Sequence, residues 1–176
     1  MQPLTPDDVQ TALDKLNLGI HIRFFDTPTA TSQQAADNIG CELGQIVKSI
    51  CFLIDGIPII VLTSGDQKVD DRKLADMYNV SRKKVKTADA VELVELYGYE
   101  AGSVPPFGHR TKIPTYIDST LRRFDTLYAA GGAHNAIFLI TLDQLVAATG
   151  GQLTFIVKPP PNDLARIIPE PKMPPA

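Results

Sequence analysis

A chain of 176 residues, 44% hydrophobic and 21% charged, can bury a core of its own without covalent staples and fits one globular domain. Its net charge of −3 is not the footprint of a protein that coats duplex DNA, so no DNA partner is expected. Two cysteines without a CxxC pair, a start without a basic-then-apolar leader and the lack of a membrane-length apolar run together predict a reduced, cytoplasmic protein with no membrane partner.

Thr5, Pro6 and Asp8 supply the cap, first-turn proline and acid of a helix start, followed by Val9, Leu13 and Leu16 on one stripe and a stop at Gly19. "HIRFF" reads as a short strand, and "TSQQAADNIG" as a helix opened by the Thr31 and Gln34 capping box and closed by Gly40. "IVKSICFLI" and "IPIIVLT" flank Asp55-Gly56, which predicts a hairpin, although Pro58 leaves its register open. "VDDRKLADMY" predicts a helix capped by Asp70, "KVK" a short strand, and "ADAVELVELYG" a helix closed by Gly98.

After the segment "GSVPPFGHR" come "IPTYID", a small helix around "STLRR", the strand "TLYAA", the turn "GGAH" and the strand "AIFLI". Thr141 and Gln144 cap the helix "LDQLVAATGG", and "LTFIV" supplies a last strand. Strands and helices alternate without regular βαβ spacing, so the expected class is α+β, with a mixed, mostly antiparallel sheet curled towards a barrel rather than a doubly wound one. The expected domain is residues 1–157, and the proline-rich stretch 158–176 is expected to be an extended or disordered tail.

Three places invite a chemical reading. Residues 102–110 combine Gly102 and Gly108 with Pro105 and Pro106, a backbone stiff at the prolines and stripped of side chains at the glycines, which suits either a ligand cradle or a stiff turn. Lys48 is the only charge on the strand face Ile46, Lys48, Ile50, Phe52 and Ile54, so it either snorkels at a strand end or stands at the mouth of an apolar pocket facing a ligand oxygen. His134 and Asn135 follow Gly131 and Gly132, either as plain turn residues or as an acid/base group beside a backbone that a substrate can approach.

Other features are weaker. His109 and His21 have no independent support, Cys51 suits a small core residue better than a nucleophile, and Cys41 is uncommitted. The basic runs "SRKKVK" and Arg122-Arg123 suit a solvated face as well as a nucleic-acid contact. GxSxG, Walker, HExxH and GxGxxG patterns are missing, as is any metal-ligand spacing, so no metal and no cofactor are expected.

Three stretches in order, "IVKSICFLIDGIPIIVLTSGDQKVDDRKLA", "YGYEAGSVPPFGHRTKIPTYID" and "YAAGGAHNAIFLI", resemble the YbaK and prolyl-tRNA-synthetase-associated domain family from about Thr31 to Val157. That resemblance places the family's central lysine at Lys48, its GxxxP loop at Gly102–Pro106, and its glycine turn with histidine at Gly131, Gly132 and His134. It implies a partial barrel and a deacylase that clears cysteine or alanine from tRNA for proline, meeting the aminoacylated acceptor end and, as a further partner, prolyl-tRNA synthetase. Lys48, Gly102 and His134 would be catalytic, and Ser103, Val104, Pro106, Phe107, Gly108, Gly131, Gly132 and Asn135 would bind substrate. A non-catalytic tRNA- or synthetase-binding module of the same fold is the alternative.

Overall fold

The computed structural model describes residues 1–159. In chain order these form α1 (Pro6–Asp14), β1 (Arg23–Phe24), α2 (Ser32–Ile39), β2 (Ile46–Ile54), β3 (Ile57–Ser64), α3 (Asp71–Met77), β4 (Val85–Thr87), α4 (Ala90–Glu92), β5 (Thr115–Asp118), β6 (Leu127–Ala130), β7 (Ala136–Ile140), α5 (Leu142–Thr149) and β8 (Gln152–Thr154). The strands make one mixed sheet, ordered β1-β7-β6-β2-β3-β5-β8, with β4 paired to β2 off that path. Pairs β1/β7, β6/β7, β2/β3 and β2/β4 are antiparallel, while β2/β6, β3/β5 and β5/β8 are parallel. The architecture is the α+β, mixed and mostly antiparallel one expected, and the sheet stays open.

The hairpin turns on Asp55 and Gly56 with φ of 50° and 83°, the two positive angles that a primed turn demands. Pro58 does not disturb the register. It sits opposite Leu53, and Ile60 donates to the Pro114 carbonyl on the β5 side, so alternate residues of β3, Pro58 among them, turn their backbone away from β2. Pairing with β5 starts only at Ile60, so the donor that proline lacks is not called for.

The second edge of β2 positions the site. Its first residues, Ile46 and Val47, pair with β6, and its last three, Phe52 to Ile54, pair with β4. Between them the edge is open. Ala88 donates to the Cys51 carbonyl and Asp55 donates to the Lys84 carbonyl, so odd-numbered residues of β2 direct their main-chain groups to this side, and Ser49 faces the gap.

The two sheet faces carry separate cores. On one, Val47, Cys51, Ile60, Leu62 and Phe138 pack against Val9 and Leu13 of α1, Leu145 of α5, and Tyr97, Tyr99, Val104 and Phe107. On the other, Phe52, Ile54, Ile59 and Val61 pack on Leu74 of α3, while Ile46 and Ile137 pack on Ala35 and Ala36 of α2. Alternation therefore puts Cys51 in the first core and leaves Lys48 on the opposite face.

Several elements are shorter than the patterns predict. The first helix ends at Asp14, ahead of Asn17 at φ 53° and Gly19 at φ 64°. The helix expected over residues 88–98 is one α turn continued by a π turn, Leu93–Tyr97, which swings the buried Tyr97 hydroxyl onto the carbonyls of Phe52 and Ile59. The last strand stops at Thr154; Ile156 and Val157 instead donate to the buried Asp118 carboxylate, and Val157 bridges to Val69. Lys158 is still held, its N–H on the Lys68 carbonyl at 2.8 Å, and the rest of the expected tail, from residue 160, lies outside the described residues. Among the described residues, no helix is long and apolar enough to cross a membrane.

Candidate functional site

The gap in β2 opens into a cavity of about 360 Å³, lined by Ile46 to Ile50, by Thr29 to Ser32 and Ala35 around the start of α2, by Gly102 and Val104, and by Ala130 and Ile137. Its size falls in the range of small-ligand pockets. Of the residues expected to form a site, Lys48, Gly102 and Val104 meet here.

Lys48 is half-buried, and its Nζ donates to the Gln67 carbonyl at 2.6 Å. Burial pushes the ammonium below its ordinary pKa, against the opposing pull of the Asp66 carboxylate. Among the described residues, no other side chain lining the cavity is titratable. Lys48 thus places an ammonium at the cavity wall with donor capacity left over.

Gly102 is held at φ 82°, and a Cβ there would lie 3.0 Å from the Ala30 carbonyl oxygen, which brings two walls of the cavity into contact. Ser103 turns away. Its N–H and hydroxyl both go to the Glu100 carbonyl, at 3.1 and 2.8 Å, and it lines a neighbouring cleft with Glu100, Gly132 and His134. The N–H groups of Gly102 and Val104 have no acceptor among the described residues.

His134 lies in that neighbouring cleft, not in the cavity with Lys48. Its Nε2 meets the Ala101 carbonyl at 2.8 Å, while its own carbonyl accepts from the Thr29 N–H at 2.5 Å and from the Thr29 hydroxyl at 3.2 Å. One residue of the β6–β7 turn therefore ties down both the Gly102 wall and the Thr29 wall. Asn135 adds a second tie, donating from Nδ2 to the Phe25 carbonyl at 3.1 Å and accepting from the Phe25 N–H at 2.8 Å.

The remaining expected residues serve the packing around the cavity. The room left by Gly131 and Gly132 is taken by the protein itself: a Cβ at Gly132 would lie 2.9 Å from Val9 of α1, and one at Gly131 would lie 3.1 Å from Ile22. Pro106 and Phe107 are buried, with Phe107 against Phe138 at 5.7 Å between ring centroids. Gly108, at φ 77°, accepts the Tyr99 hydroxyl at 2.8 Å, and His109 closes the loop through Nε2 on the Pro105 carbonyl at 2.8 Å.

Sequence reading missed Ser49 and the Thr29–Ser32 segment. The Ser49 hydroxyl oxygen is buried with no partner among the described residues, and it belongs to the residue facing the gap in β2. Cys51 is buried in the opposite core with its thiol pushed far up by burial, which fits a packing residue and not a nucleophile. Among the described residues, no three His, Cys, Asp or Glu side chains gather closely enough to hold a metal ion.

The fold is shared with known relatives. The family profile of the aminoacyl-tRNA editing domain matches residues 26–148. The chain is 33% identical over 138 residues to the uncharacterized protein YwhH of Bacillus subtilis (strain 168), covering 78% of this chain and 86% of that one. It is 30% identical over 123 residues to a proline–tRNA ligase of Staphylococcus aureus (strain MRSA252), covering 69% of this chain but only 21% of the ligase. A crystal structure described as a candidate trans-editing enzyme for prolyl tRNA synthetase superposes with a TM-score of 0.81 at 33% identity, covering 88% of this chain and 97% of that one. A family profile that spans most of the cavity walls, a ligase segment and a whole-chain structural match agree: this chain belongs to the aminoacyl-tRNA editing domain family.

Proposed function

We propose that the protein acts in trans as a deacylase of mischarged aminoacyl-tRNA, with cysteine or alanine on tRNA for proline as its substrates. The observation that carries this reading is the convergence of the Lys48 ammonium and the Gly102–Val104 backbone on one cavity. An aminoacyl-tRNA is an ester. Its hydrolysis adds water to the carbonyl carbon, places negative charge on the carbonyl oxygen, and expels the terminal ribose hydroxyl as the free tRNA end.

The free N–H groups of Gly102 and Val104 are suited to receive that oxygen, and Lys48 to attract the oxygen or the terminal phosphate. Ala35, Ile46 and Ile137 offer an apolar wall to a small side chain, where one methylene is worth about 1–3 kcal/mol of discrimination. His134, Asn135, Gly131 and Gly132 hold the walls, and Pro106, Phe107 and Gly108 seat the loop on the core. Prolyl-tRNA synthetase is the proposed partner, and the cytoplasm the proposed compartment.

The deciding experiment incubates the purified protein with a panel of charged tRNAs, with cysteinyl- and alanyl-tRNA for proline first, and follows deacylation in single turnover. Lys48→Ala is expected to keep the melting temperature and lose most of the rate. Lys48→Arg is not expected to restore it, because a planar guanidinium does not occupy the place of a compact point charge. A Lys48→Ala protein that deacylates at the parent rate would remove Lys48 from the mechanism. A parent protein that binds charged tRNA but never turns it over would leave the binding-module reading standing.

A further inference from the structure

The ammonium on which that reading depends is held by residues that do not line the cavity. Lys48 Nζ donates to the Gln67 carbonyl, in the turn that leads from β3 towards α3. That turn is closed by the Gln67 N–H on the Ser64 carbonyl at 3.0 Å. It is clamped from outside by Arg123, at the end of the 3-10 turn that follows β5. The guanidinium takes both oxygens of Asp66, at 2.7 and 2.9 Å, and also donates to the Ser64 hydroxyl at 2.9 Å and to the Thr120 carbonyl at 2.9 Å. The Ser64 hydroxyl passes the link on to the Gly44 carbonyl, just ahead of β2.

An exposed ion pair alone contributes little. Here the fork geometry, two further acceptors and the stacking of Arg123 4.9 Å over Phe124 fix the guanidinium in one place. Of what it fixes, Asp66 acts on the Lys48 ammonium through its charge, and Gln67, closed onto Ser64, accepts the ammonium's hydrogen bond.

We propose that Arg123, acting through Asp66, is a positioning residue for Lys48: it fixes the turn whose Gln67 carbonyl sets where the ammonium stands in the cavity. The proposal rests on the deacylase reading above for its consequence, though not for its geometry. Asp66 is the negative charge that favours protonated Lys48, and Arg123 in turn neutralises part of Asp66. No titratable group faces Lys48 from β2 or from the start of α2, and beyond Asp66 and Arg123 the next charges, Glu42 and Asp118, act on Arg123.

The experiment uses the full chain with lysine labelled with carbon-13 at Cε, the Lys48 signal being assigned by its loss in Lys48→Arg. Its titration is followed by NMR in the parent, Asp66→Asn, Arg123→Gln and Arg123→Lys, beside single-turnover deacylation and melting curves. The Lys48 midpoint is expected below that of exposed lysines in the parent, lower still in Asp66→Asn, and moved up towards the exposed value in Arg123→Gln. Both charge-removing variants are expected to lose about tenfold to a hundredfold in rate at saturating substrate, the cost of a small misplacement, with Arg123→Lys only partly restored because it cannot fork onto Asp66.

Opposite shifts from two variants that both lose rate are what a mere turn support would not produce. Midpoints that stay with the parent, or that both move to the exposed value, would overturn the proposal, and Arg123→Lys carries the same comparison if a neutral variant fails to fold. A parent without deacylase activity would sink the function reading alone, since the titration still reads the positioning.

Discussion

Gly102 and Ala30 stand so close that a single methyl group on Gly102 would reach to 3.0 Å from the Ala30 carbonyl oxygen. The contact joins the loop after α4 to the segment before α2 across one side of the cavity. Gly102→Ala is therefore expected to act twice. The positive φ of 82° costs an alanine about 1 kcal/mol, a fall of a few degrees in melting temperature for a chain of this size. The added methyl also pushes the Gly102–Val104 backbone off its place, and a displacement of that kind costs about a hundredfold in turnover. A variant that melts much earlier yet turns over normally in its folded fraction would reduce Gly102 to a plain turn residue.

His134 offers a test of position against chemistry. Its ring is engaged with the Ala101 carbonyl and lines the neighbouring cleft, so its effect on deacylation is expected to run through the walls it ties. His134→Gln keeps a donor for Ala101 and is expected to retain most of the rate; His134→Ala is expected to lose about tenfold or more, because the Ala101 side of the cavity is released while the main-chain tie to Thr29 stays. Equal losses in the two variants, with a pH–rate limb present only in the parent, would instead make His134 an acid or base.

What sequence reading reached and what it missed divide along a physical line. Lys48 was legible because strand alternation makes one charge among Ile46, Ile50, Phe52 and Ile54 conspicuous without knowledge of any neighbour. Gly102 was legible because glycine and proline announce backbone constraints locally. The glycines at 131 and 132 announced the same constraint, but their space belongs to Val9 and Ile22, a fact that only the docking of α1 and its following segment reveals. Ser49 was hidden for the opposite reason: nothing in its neighbours tells that β6 and β4 leave a gap beside it. The π turn at Leu93–Tyr97 escaped because the helix pattern around it reads the same whether the ladder closes four or five residues back.

Ser49 and Thr63 form a natural pair of controls. Both hydroxyls are buried without a partner among the described residues, but Ser49 lines the cavity while Thr63 does not. Removing an unsatisfied buried polar group relieves a penalty of about 1–3 kcal/mol, so Ser49→Ala and Thr63→Val are both expected to hold or raise the melting temperature. Only Ser49→Ala is expected to raise KM in deacylation, because Ser49 and not Thr63 belongs to the cavity wall. A Thr63→Val protein with the same loss in KM would show that the effect comes from the sheet and not from the cavity.

His109 gives the loop beyond Gly102 a pH dependence whose sign follows from its surroundings. The ring stands edge-on to Tyr97 and Tyr99, and burial pulls its pKa below the ordinary 6.5, with the bond to the Pro105 carbonyl opposing only in part. Above about pH 6.5 both folded and unfolded chains carry a neutral histidine, and this group leaves stability flat. Below it the unfolded chain takes up a proton that the folded one refuses, so stability falls as pH drops towards the lowered folded value, by at most about 1.4 kcal/mol per pH unit, and levels off beneath it. Asp8, Asp66 and Asp71, whose carboxylates are held below their ordinary pKa by Thr5, Arg123 and Arg82 respectively, add their own losses only under about pH 4, beneath the range compared below. Urea unfolding of the parent and His109→Gln at pH 8, 6.5 and 5 is expected to show the parent losing stability across the last interval while the variant stays nearly flat; parallel curves would mean that some other group carries the dependence.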